Sequence, residues 1–438
     1  MLNYYFQLAW VSFRRSPVLT ALIVMAIALG VSMTMTAFTI LYVMSGDPIP
    51  AKSRELFAVQ IDNGGPKSRK AGDTEPATQM TYQDAMALLT AHVAPRQAAM
   101  HQVQLTVKPT DVKLNQFVIS ARATTADFFP MFDVPMLYGH AWSASNEAEN
   151  SSVVVLSKRL NDRLFKGVDS TGMSVRFDEN TYQVVGVMND WDPKPRFYDV
   201  VGGQTFDEGE AAYLPLALSI ARQMSTPEYE YCDAGPRGES FDDLLRSECV
   251  WLQYWVQLPS GEDRVRYVNF LDNYSHEQQQ IGRFNWEPNT RLRNVRDWLV
   301  AQKVVPNDAK LSVLVAFGFF IVCLVSALGL MLAKTFGRTS EFGVRRALGA
   351  SGRDIFTQAI VESGVVGFVG GICGLGLTVL ALWAVRDLFP SGLGRIAQMD
   401  APLLSGTMAL AVVATLIAGV YPAWQSMRIA PALQLKGG

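Results

Sequence analysis

The sequence predicts a membrane protein with four transmembrane α-helices and a large α+β extracytoplasmic domain inserted between the first and second helices. Four mostly apolar stretches contain no Asp, Glu, Lys or Arg: residues 16–46, 311–333, 363–385 and 401–427. The long segment between the first two stretches alternates strand and helix patterns. Lys and Arg cluster at one side of the predicted spans, which predicts the membrane topology of the chain.

Each apolar stretch is long enough to cross a bilayer. A spanning helix needs ~20 predominantly apolar residues, because a rise of ~1.5 Å per residue must cover about 30 Å of hydrocarbon. We place the four transmembrane helices at residues 17–46, 311–333, 362–385 and 401–427. The fourth is the weakest candidate, because Pro402 and Pro422 bracket its apolar centre.

The first span begins close to the N-terminus, where a cleaved signal peptide is the alternative. A signal peptide has an apolar region of ~7 to 15 residues followed by small residues at the cleavage site. The run from Val18 to Val43 is longer and ends in bulky residues, which favours an uncleaved anchor. Residues 1–16 before it have apolar side chains near helical spacing, followed by Arg14 and Arg15, and predict an amphipathic helix on the inner leaflet.

Composition excludes several functions. Hydrophobic residues make up 49% of the chain and charged residues 18%, with a formal net charge of −2 and no basic run, so nucleic acid is not an expected partner. His92, His101, His140 and His276 are scattered, and His276-Glu277 lacks the second histidine of a H-E-x-x-H zinc helix. We expect no metal site and no catalytic residues. No G-x-x-x-x-G-K-[ST] phosphate loop is present, so the chain is predicted to have no ATPase of its own.

Basic residues predict the topology. They precede the first span, lie between the second and third spans and follow the fourth: Arg14, Arg15, Lys334, Arg338, Arg345, Arg346, Arg353, Arg428 and Lys436. Because basic residues of short loops stay in the cytoplasm, both termini are predicted to be cytoplasmic. Residues 47–310 and the short loop 386–400 are then outside, and 428–438 form a cytoplasmic tail.

Residues 47–310 predict an α+β domain. Strand patterns occur at 55–61, 105–108, 117–123, 153–156, 174–177, 183–188 and 250–258, and helix patterns at 81–92, 157–165 and 263–280. Residues 190–248 are acidic, contain Gly and Pro and lack strong periodicity, which predicts an insertion or second lobe.

The cysteines agree with this arrangement. Cys323 and Cys373 lie within predicted spans, where cysteine behaves as a small apolar residue. Cys232 and Cys249 lie outside, close enough in sequence to clip a short loop in an oxidising compartment. We expect them to pair, and two free thiols are the alternative.

The segment between the second and third spans, residues 334–361, predicts a helix, a turn and a second helix. Glu341 and Arg345 are spaced for an ion pair, Gly349 is placed to end the first helix, and Ser351 with Asp354 forms a capping box. A short helix with basic and apolar side chains at the inner membrane surface suits a cytoplasmic partner. A well-capped connector whose arginines only set topology is the alternative.

This segment resembles the signature of the MacB and FtsX family of ABC transporter permeases, roughly E-I-G-[IV]-R-[RK]-A-[LM]-G-A-[ST]. Residues 341–351 match it everywhere except at Phe342. The stretches 125–139, 153–165 and 182–187 resemble the family's periplasmic core domain, with His140 where Arg is more usual. The pair Glu362-Ser363 and the end of the chain, 421–436, also resemble the family.

The resemblance implies a mechanotransmission mechanism, in which a separate cytoplasmic ABC ATPase drives movement of periplasmic domains. The residues expected at the ATPase contact are Glu341, Phe342, Gly343, Arg345, Arg346, Leu348 and Gly349. ATP and Mg²⁺ would then bind to the ATPase subunit and no cofactor to this chain. Implied partners are that ATPase, a second copy or a homologous permease, a periplasmic adaptor and membrane lipid, in a bacterial inner membrane.

Several alternatives stay open at this stage. Efflux of a peptide or drug-like molecule is preferred over lipoprotein release or force transmission to the cell envelope. A membrane-anchored ligand sensor is the alternative from another class, but the chain shows only short cytoplasmic segments and no output domain. In the third span, Gly367 with Gly371 and Gly370 with Gly374 are small residues four apart, which predicts close helix packing, within the subunit or across a dimer.

Overall fold

The computed structural model describes residues 13–63, 74–110, 114–201, 205–227, 232, 236, 238–388 and 401–427. The predicted amphipathic helix lies mostly outside these residues, as do the tail 428–438 and most of the loop 386–400. The chain divides into two compact units. One contains residues 1–45 and 305–438, and the other contains residues 46–304.

The first unit is a helical bundle. Its helices are α1 (Pro17–Met44), α10 (Asn307–Phe336), α11 (Thr339–Ala347), α12 (Gly352–Leu388) and α13 (Ala401–Met427). Four of them, all except α11, are long and apolar enough to cross a membrane. The fold class expected from the uncharged stretches is confirmed.

Helix α12 differs from the expected third span. The sequence predicts a second helix in the loop and a span at residues 362–385, and in the structure both lie in one continuous helix of 37 residues that begins at Gly352. No proline interrupts residues 352–388, so nothing in the sequence forces a break between the capping box and the span.

The glycines of α12 pack against neighbouring helices of the same subunit. A Cβ added at Gly371 would lie 2.9 Å from Met408 Sδ on α13, and one at Gly367 would lie 2.9 Å from Thr415 Cβ. A Cβ at Gly370 would lie 2.8 Å from Ile27 Cγ2 on α1, and one at Gly374 would lie 3.1 Å from Val31 Cγ1. The two glycine pairs therefore form two faces, one for α13 and one for α1.

The second unit is an α+β domain built on one mixed sheet. Its strands are β1 (Leu56–Gln60), β2 (Met80–Thr81), β3 (Arg96–Val107), β4 (Phe117–Thr124), β5 (Met136–Gly139), β6 (Val153–Leu156), β7 (Ser174–Phe177), β8 (Asn180–Met188), β9 (Ala212–Pro215), β10 (Val250–Gln257) and β11 (Arg291–Asn294). The order is β11-β1-β10-β3-β4-β9-β6-β8-β5, with β2 on β10 and β7 on β3 and β8. Most neighbours are antiparallel, but β4–β9 and β6–β8 are parallel.

Helices cover both faces of the sheet. They are α2 (Tyr82–Ala91), α3 (Phe128–Met131), α4 (Ala144–Ala148), α5 (Lys158–Phe165), α6 (Leu216–Ala221), α7 (Phe241–Leu245), α8 (Gly261–Gln280) and α9 (Val295–Ala301). Successive strand residues enter different cores: Ala99 joins the core that includes side chains of α2, α5 and α8, whereas Met100 joins the core that includes α3 and α9. The central strands are therefore apolar on both faces, unlike a half-exposed sheet.

The expectation of an insertion or second lobe at residues 190–248 is wrong for the part that contains β9. This strand lies inside the sheet, between β4 and β6. The sequence does not predict this strand, because it is only four residues long and ends in Pro215. Proline argues against a central strand.

A buried ion cluster holds the segment before β9 against the sheet. Arg122 on β4 donates from Nε to Glu210 Oε1 at 2.8 Å and also pairs with Asp199. Arg196 reaches Glu210 at 3.3 Å, and the hydroxyls of Tyr198 and Tyr213 donate to Glu210 Oε2 at 2.8 and 3.1 Å. All these side chains are buried, so each charge depends on its partners.

Cys232 and Cys249 form a disulfide with an S–S distance of 2.05 Å and a sequence separation of 17. Cys249 is buried immediately before β10. The bridge therefore ties a long connection to a central strand.

We expect Cys232→Ser, Cys249→Ser or both together to lower the free energy of unfolding of this domain by about 3 kcal/mol, because a closed loop of this length restricts the unfolded chain. Thermal unfolding of the purified protein without reductant measures the loss. Cys373→Ser, a change at an exposed thiol of the bundle, is the control. Equal stability of the double variant and the parent protein would contradict the prediction.

Candidate functional site

The candidate site is helix α11 with the charged side chains beneath it. The helix follows a short turn after α10, and Gly349, with φ of 100°, adopts the left-handed conformation just beyond its end. Ser351 then caps α12: its backbone N–H and Oγ donate to Asp354 Oδ2 at 3.0 and 2.6 Å, and it accepts from Asp354 N at 3.2 Å. Both ends of the connection are thus fixed by local hydrogen bonds.

Glu341 is the centre of the ion pairs on α11. Its carboxylate lies 2.8 Å from Arg345 Nη2, 3.3 Å from Arg338 Nη2 and 3.1 Å from Arg15 Nη1. Partial burial by itself raises the pKa of Glu341, but the three guanidinium groups, Arg338 first, outweigh burial and hold this pKa below its usual value. Glu341 is therefore ionised at neutral pH and links α11 to the start of α1.

A second set of ion pairs joins the ends of two spans. Lys334 on α10 lies 2.7 Å from Glu362 on α12 and donates to Thr20 Oγ1 on α1 at 3.0 Å. Arg338 contacts Glu362 at 3.4 Å and so connects this set to Glu341. Around these side chains lies a small cavity of about 40 Å³, large enough for a water molecule.

The predicted contact residues do not all face the same direction. Glu341 and Arg345 point back to the bundle, because Arg345 also donates to Gln358 Oε1 on α12 at 3.0 Å. Arg346 donates to the carbonyl of Met427 at the end of α13 at 3.3 Å. Gly343 is buried, and Gly349 is exposed.

Phe342, which the resemblance places at the ATPase contact, is only 6% exposed and lines the cavity of the bundle. It is therefore not available to a partner in this conformation. Leu348 is 83% exposed and Val344, four residues earlier, is 58% exposed. These two apolar side chains form the outward face of α11, and we call them the apolar pair.

Sequence reasoning missed the roles of Lys334, Arg338 and Glu362 as one cluster. In the sequence, Lys334 and Arg338 contribute only to the topology prediction. The available signal is their position, since ionisable residues at the ends of apolar spans are expensive unless paired. Val344 is not among the residues that the resemblance places at the contact.

No group of three or more His, Cys, Asp or Glu side chains suited to a metal ion occurs among the residues that the structure describes. The bundle, the short helix α11 and the domain between the first two spans define a multi-pass membrane protein with an extracytoplasmic domain.

Comparisons with known families place the chain within a particular class. The MacB-like periplasmic core domain matches residues 20–269, and the FtsX-like permease C-terminal domain matches residues 313–431. The chain belongs to the MacB/FtsX family of ABC transporter permeases.

Curated relatives agree with this assignment. The macrolide export ATP-binding/permease protein MacB of Syntrophobacter fumaroxidans is 26% identical over 344 residues, which cover 72% of this chain and 46% of the relative. The pyoverdine export ATP-binding/permease protein PvdT of Pseudomonas fluorescens is 25% identical over 313 residues, which cover 70% of this chain and 41% of the relative. The chain thus spans less than half the length of these relatives.

Among solved structures, the periplasmic region of MacB from Actinobacillus actinomycetemcomitans matches with 12% identity and a TM-score of 0.36. The match covers 59% of this chain and 99% of that structure.

Proposed function

We propose that this chain is the permease subunit of an ABC transporter of the mechanotransmission type. A separate ABC ATPase docks on the apolar pair of α11, and its closure moves the bundle and, through it, the extracytoplasmic domain. The observation that carries the proposal is the combination in α11 of an exposed apolar face with an opposite face fixed by ion pairs. A movement of the ATPase against such a helix is transmitted to the bundle through these ion pairs.

The remaining parts of the proposal follow from the same arrangement. ATP and Mg²⁺ bind to the ATPase subunit, and a second copy or a homologous permease completes the complex. Basic side chains between the second and third spans support a cytoplasmic position for α11, with both termini in the cytoplasm of a bacterium and the chain in its inner membrane. A periplasmic adaptor is a further partner.

The names of the relatives favour efflux over the alternatives of lipoprotein release and force transmission, because both relatives are named as exporters. The cargo that we propose is a peptide or drug-like molecule.

Purification from native membranes tests whether the chain works with a separate ABC ATPase. An ABC ATPase should copurify in stoichiometric amount, and its absence under conditions that preserve membrane complexes would overturn the proposal.

Changing the apolar pair should uncouple the complex. We expect Val344→Asp together with Leu348→Asp to weaken ATPase binding by about tenfold or more, because each change places a charge in the apolar centre of an interface. Binding to the copurified ATPase and permease-stimulated ATP hydrolysis in lipid nanodiscs measure the effect.

Val300→Asp provides a control, since Val300 is a 78% exposed valine on α9 of the extracytoplasmic domain. It should leave ATPase binding unchanged.

Arg345→Glu should also reduce the stimulation of ATP hydrolysis, because it places a second carboxylate beside Glu341 and disturbs the ion-paired face of α11. Full stimulation with the double aspartate variant would show that the ATPase docks elsewhere.

A further inference from the structure

The first half of β4 has an open edge within the extracytoplasmic domain. On one side, β4 pairs with β3 over its whole length, from Phe117 opposite Val107 to Thr124 opposite Met100. On the other side, β9 pairs only with residues from Ala121 onward. Among the described residues, no strand pairs with residues 117–119 on this second side.

The backbone of Val118 points toward this open edge. Ser120, two residues later, accepts a hydrogen bond from Ala211 N through its carbonyl, so the polar groups of Ser120 face the β9 side. Val118 shares that orientation, because backbone direction alternates along a strand. Thr106, opposite Val118, accepts from Asp178 N on its far side, which independently shows that the Thr106–Val118 pair is not hydrogen-bonded.

Helix α5 forms the other wall of a groove beside this edge. The groove has a volume of 440 Å³, within the usual range for ligand sites. Its floor includes Leu160 and Ala211, which are buried. The open edge of about 10 Å has room for three to four extended residues at ~3.3 Å each.

The charged rim of the groove carries one excess positive charge. Arg159 pairs with Glu208, so these two charges offset each other. The guanidinium of Arg163 lies 3.4 Å from the centre of the Phe117 ring and is exposed. In the part of the chain that the structure describes, no acidic side chain lies within ion-pair distance of Arg163.

From this geometry we infer that the groove binds a short extended peptide with a free C-terminal carboxylate. The peptide adds a strand to β4: Val118 donates its N–H and accepts at its carbonyl, while the peptide carboxylate binds Arg163. Arg163 lies at the Phe117 end of β4, so the peptide runs antiparallel to β4, which places its C-terminus there. The inference deepens the proposed function, on which it rests, by naming peptides as the cargo class and this groove as their site.

The test uses the full chain in lipid nanodiscs without the ATPase, so the result does not depend on coupling. The probes are a fluorescein-labelled Val-Thr-Val-Thr-Val peptide with a free carboxylate, its C-terminal amide, and a form N-methylated at the central valine. Fluorescence anisotropy gives each affinity. The amide should bind about tenfold more weakly and the N-methylated peptide about fivefold more weakly, since each lacks one kind of hydrogen bond.

Variants of the chain give the second arm. Arg163→Ala should weaken the free-acid peptide about tenfold and leave the amide almost unaffected, whereas Arg176→Ala, an exposed arginine on β7, should change neither. Val118→Pro removes the groove-facing N–H, and Val118→Thr retains it. Only the former should weaken binding.

The inference is overturned if acid, amide and N-methylated peptides bind equally, or if no peptide binds while an ABC ATPase still copurifies and is stimulated. The second outcome leaves the proposed function standing. Loss of ATPase copurification with intact peptide binding would instead contradict the proposed function. Because the N-methylated probe tests the edge on unaltered protein, a variant that fails to fold does not decide the result.

Discussion

Glu210→Ala should lower the free energy of unfolding of the extracytoplasmic domain by about 3–5 kcal/mol, because it removes one of the two carboxylates that pair with buried Arg122 and the carboxylate that pairs with buried Arg196. Glu210 accepts from Arg122 and Tyr198 at 2.8 Å and pairs with Arg196, and none of these side chains can reach solvent without unfolding. For a domain of this size the loss corresponds to a drop in Tm of roughly 6–20 °C. Near-UV circular dichroism of the buried tryptophans follows the transition.

Glu208→Gln is the matched control, two residues earlier in the same segment. Glu208 pairs with Arg159 at the surface, where an ion pair contributes only about 0–1 kcal/mol. A Glu210 variant as stable as the Glu208 variant would show that the ion cluster is not needed to hold the segment before β9.

The same carboxylate predicts acid sensitivity. Burial raises the pKa of Glu210, but Arg122 and Arg196 outweigh burial and hold this pKa far below the ordinary value of 4.5. A lowered pKa in the folded state stabilises the domain fully above pH 4.5, and the stabilisation is lost as the pH falls below that value. Unfolding measured from pH 7 to pH 3 should therefore show a steeper loss for the parent protein than for Glu210→Ala.

With Gly367→Val, most of the protein molecules should fail to fold in the membrane. A Cβ at this position overlaps the Thr415 hydroxyl, lies 2.9 Å from Thr415 Cβ and lies 3.2 Å from the Ala411 carbonyl. The backbone oxygen cannot move aside without displacing α13, so overpacking costs at least the 1–3 kcal/mol that is typical of filled cores. The yield of monodisperse protein after solubilisation and its thermal stability measure the effect.

Gly376→Val tests whether the effect comes from packing or from the loss of a glycine. Gly376 lies on the same helix, and a Cβ there meets nothing within 4 Å. This control should behave like the parent protein. If both variants fold equally well, close contact between α12 and α13 is not required.

The spans could be predicted from the sequence because a bilayer imposes one long uncharged stretch per helix, independent of tertiary contacts. Short strands in which polar and apolar residues alternate, such as β7, can also be predicted from the sequence with the bounds that the structure shows. In contrast, β9 depends on a parallel partner, Ala121–Thr124, about 90 residues earlier in the chain. No local pattern encodes such pairing.

Buried charged residues explain why the sequence predicts an insertion at residues 190–248. Arg196, Asp199 and Glu210 made residues 190–248 look like a solvated insertion, since charged side chains are rarely buried without partners. At the candidate site, the signature located α11 but could not separate its two faces. Only the three-dimensional contacts show that Phe342 faces the bundle while Leu348 faces outward.

The continuity of α12 has a mechanical consequence. An α-helix of 37 residues is about 55 Å long, and α12 runs without proline from the capping box beside α11 through its whole span. In the mechanism that we propose, a small tilt of α12 at the α11 end would displace the other end of this helix by several ångströms. In the same proposed mechanism, the contacts of α1 and α13 with glycines near the middle of α12 would set the point about which this helix pivots.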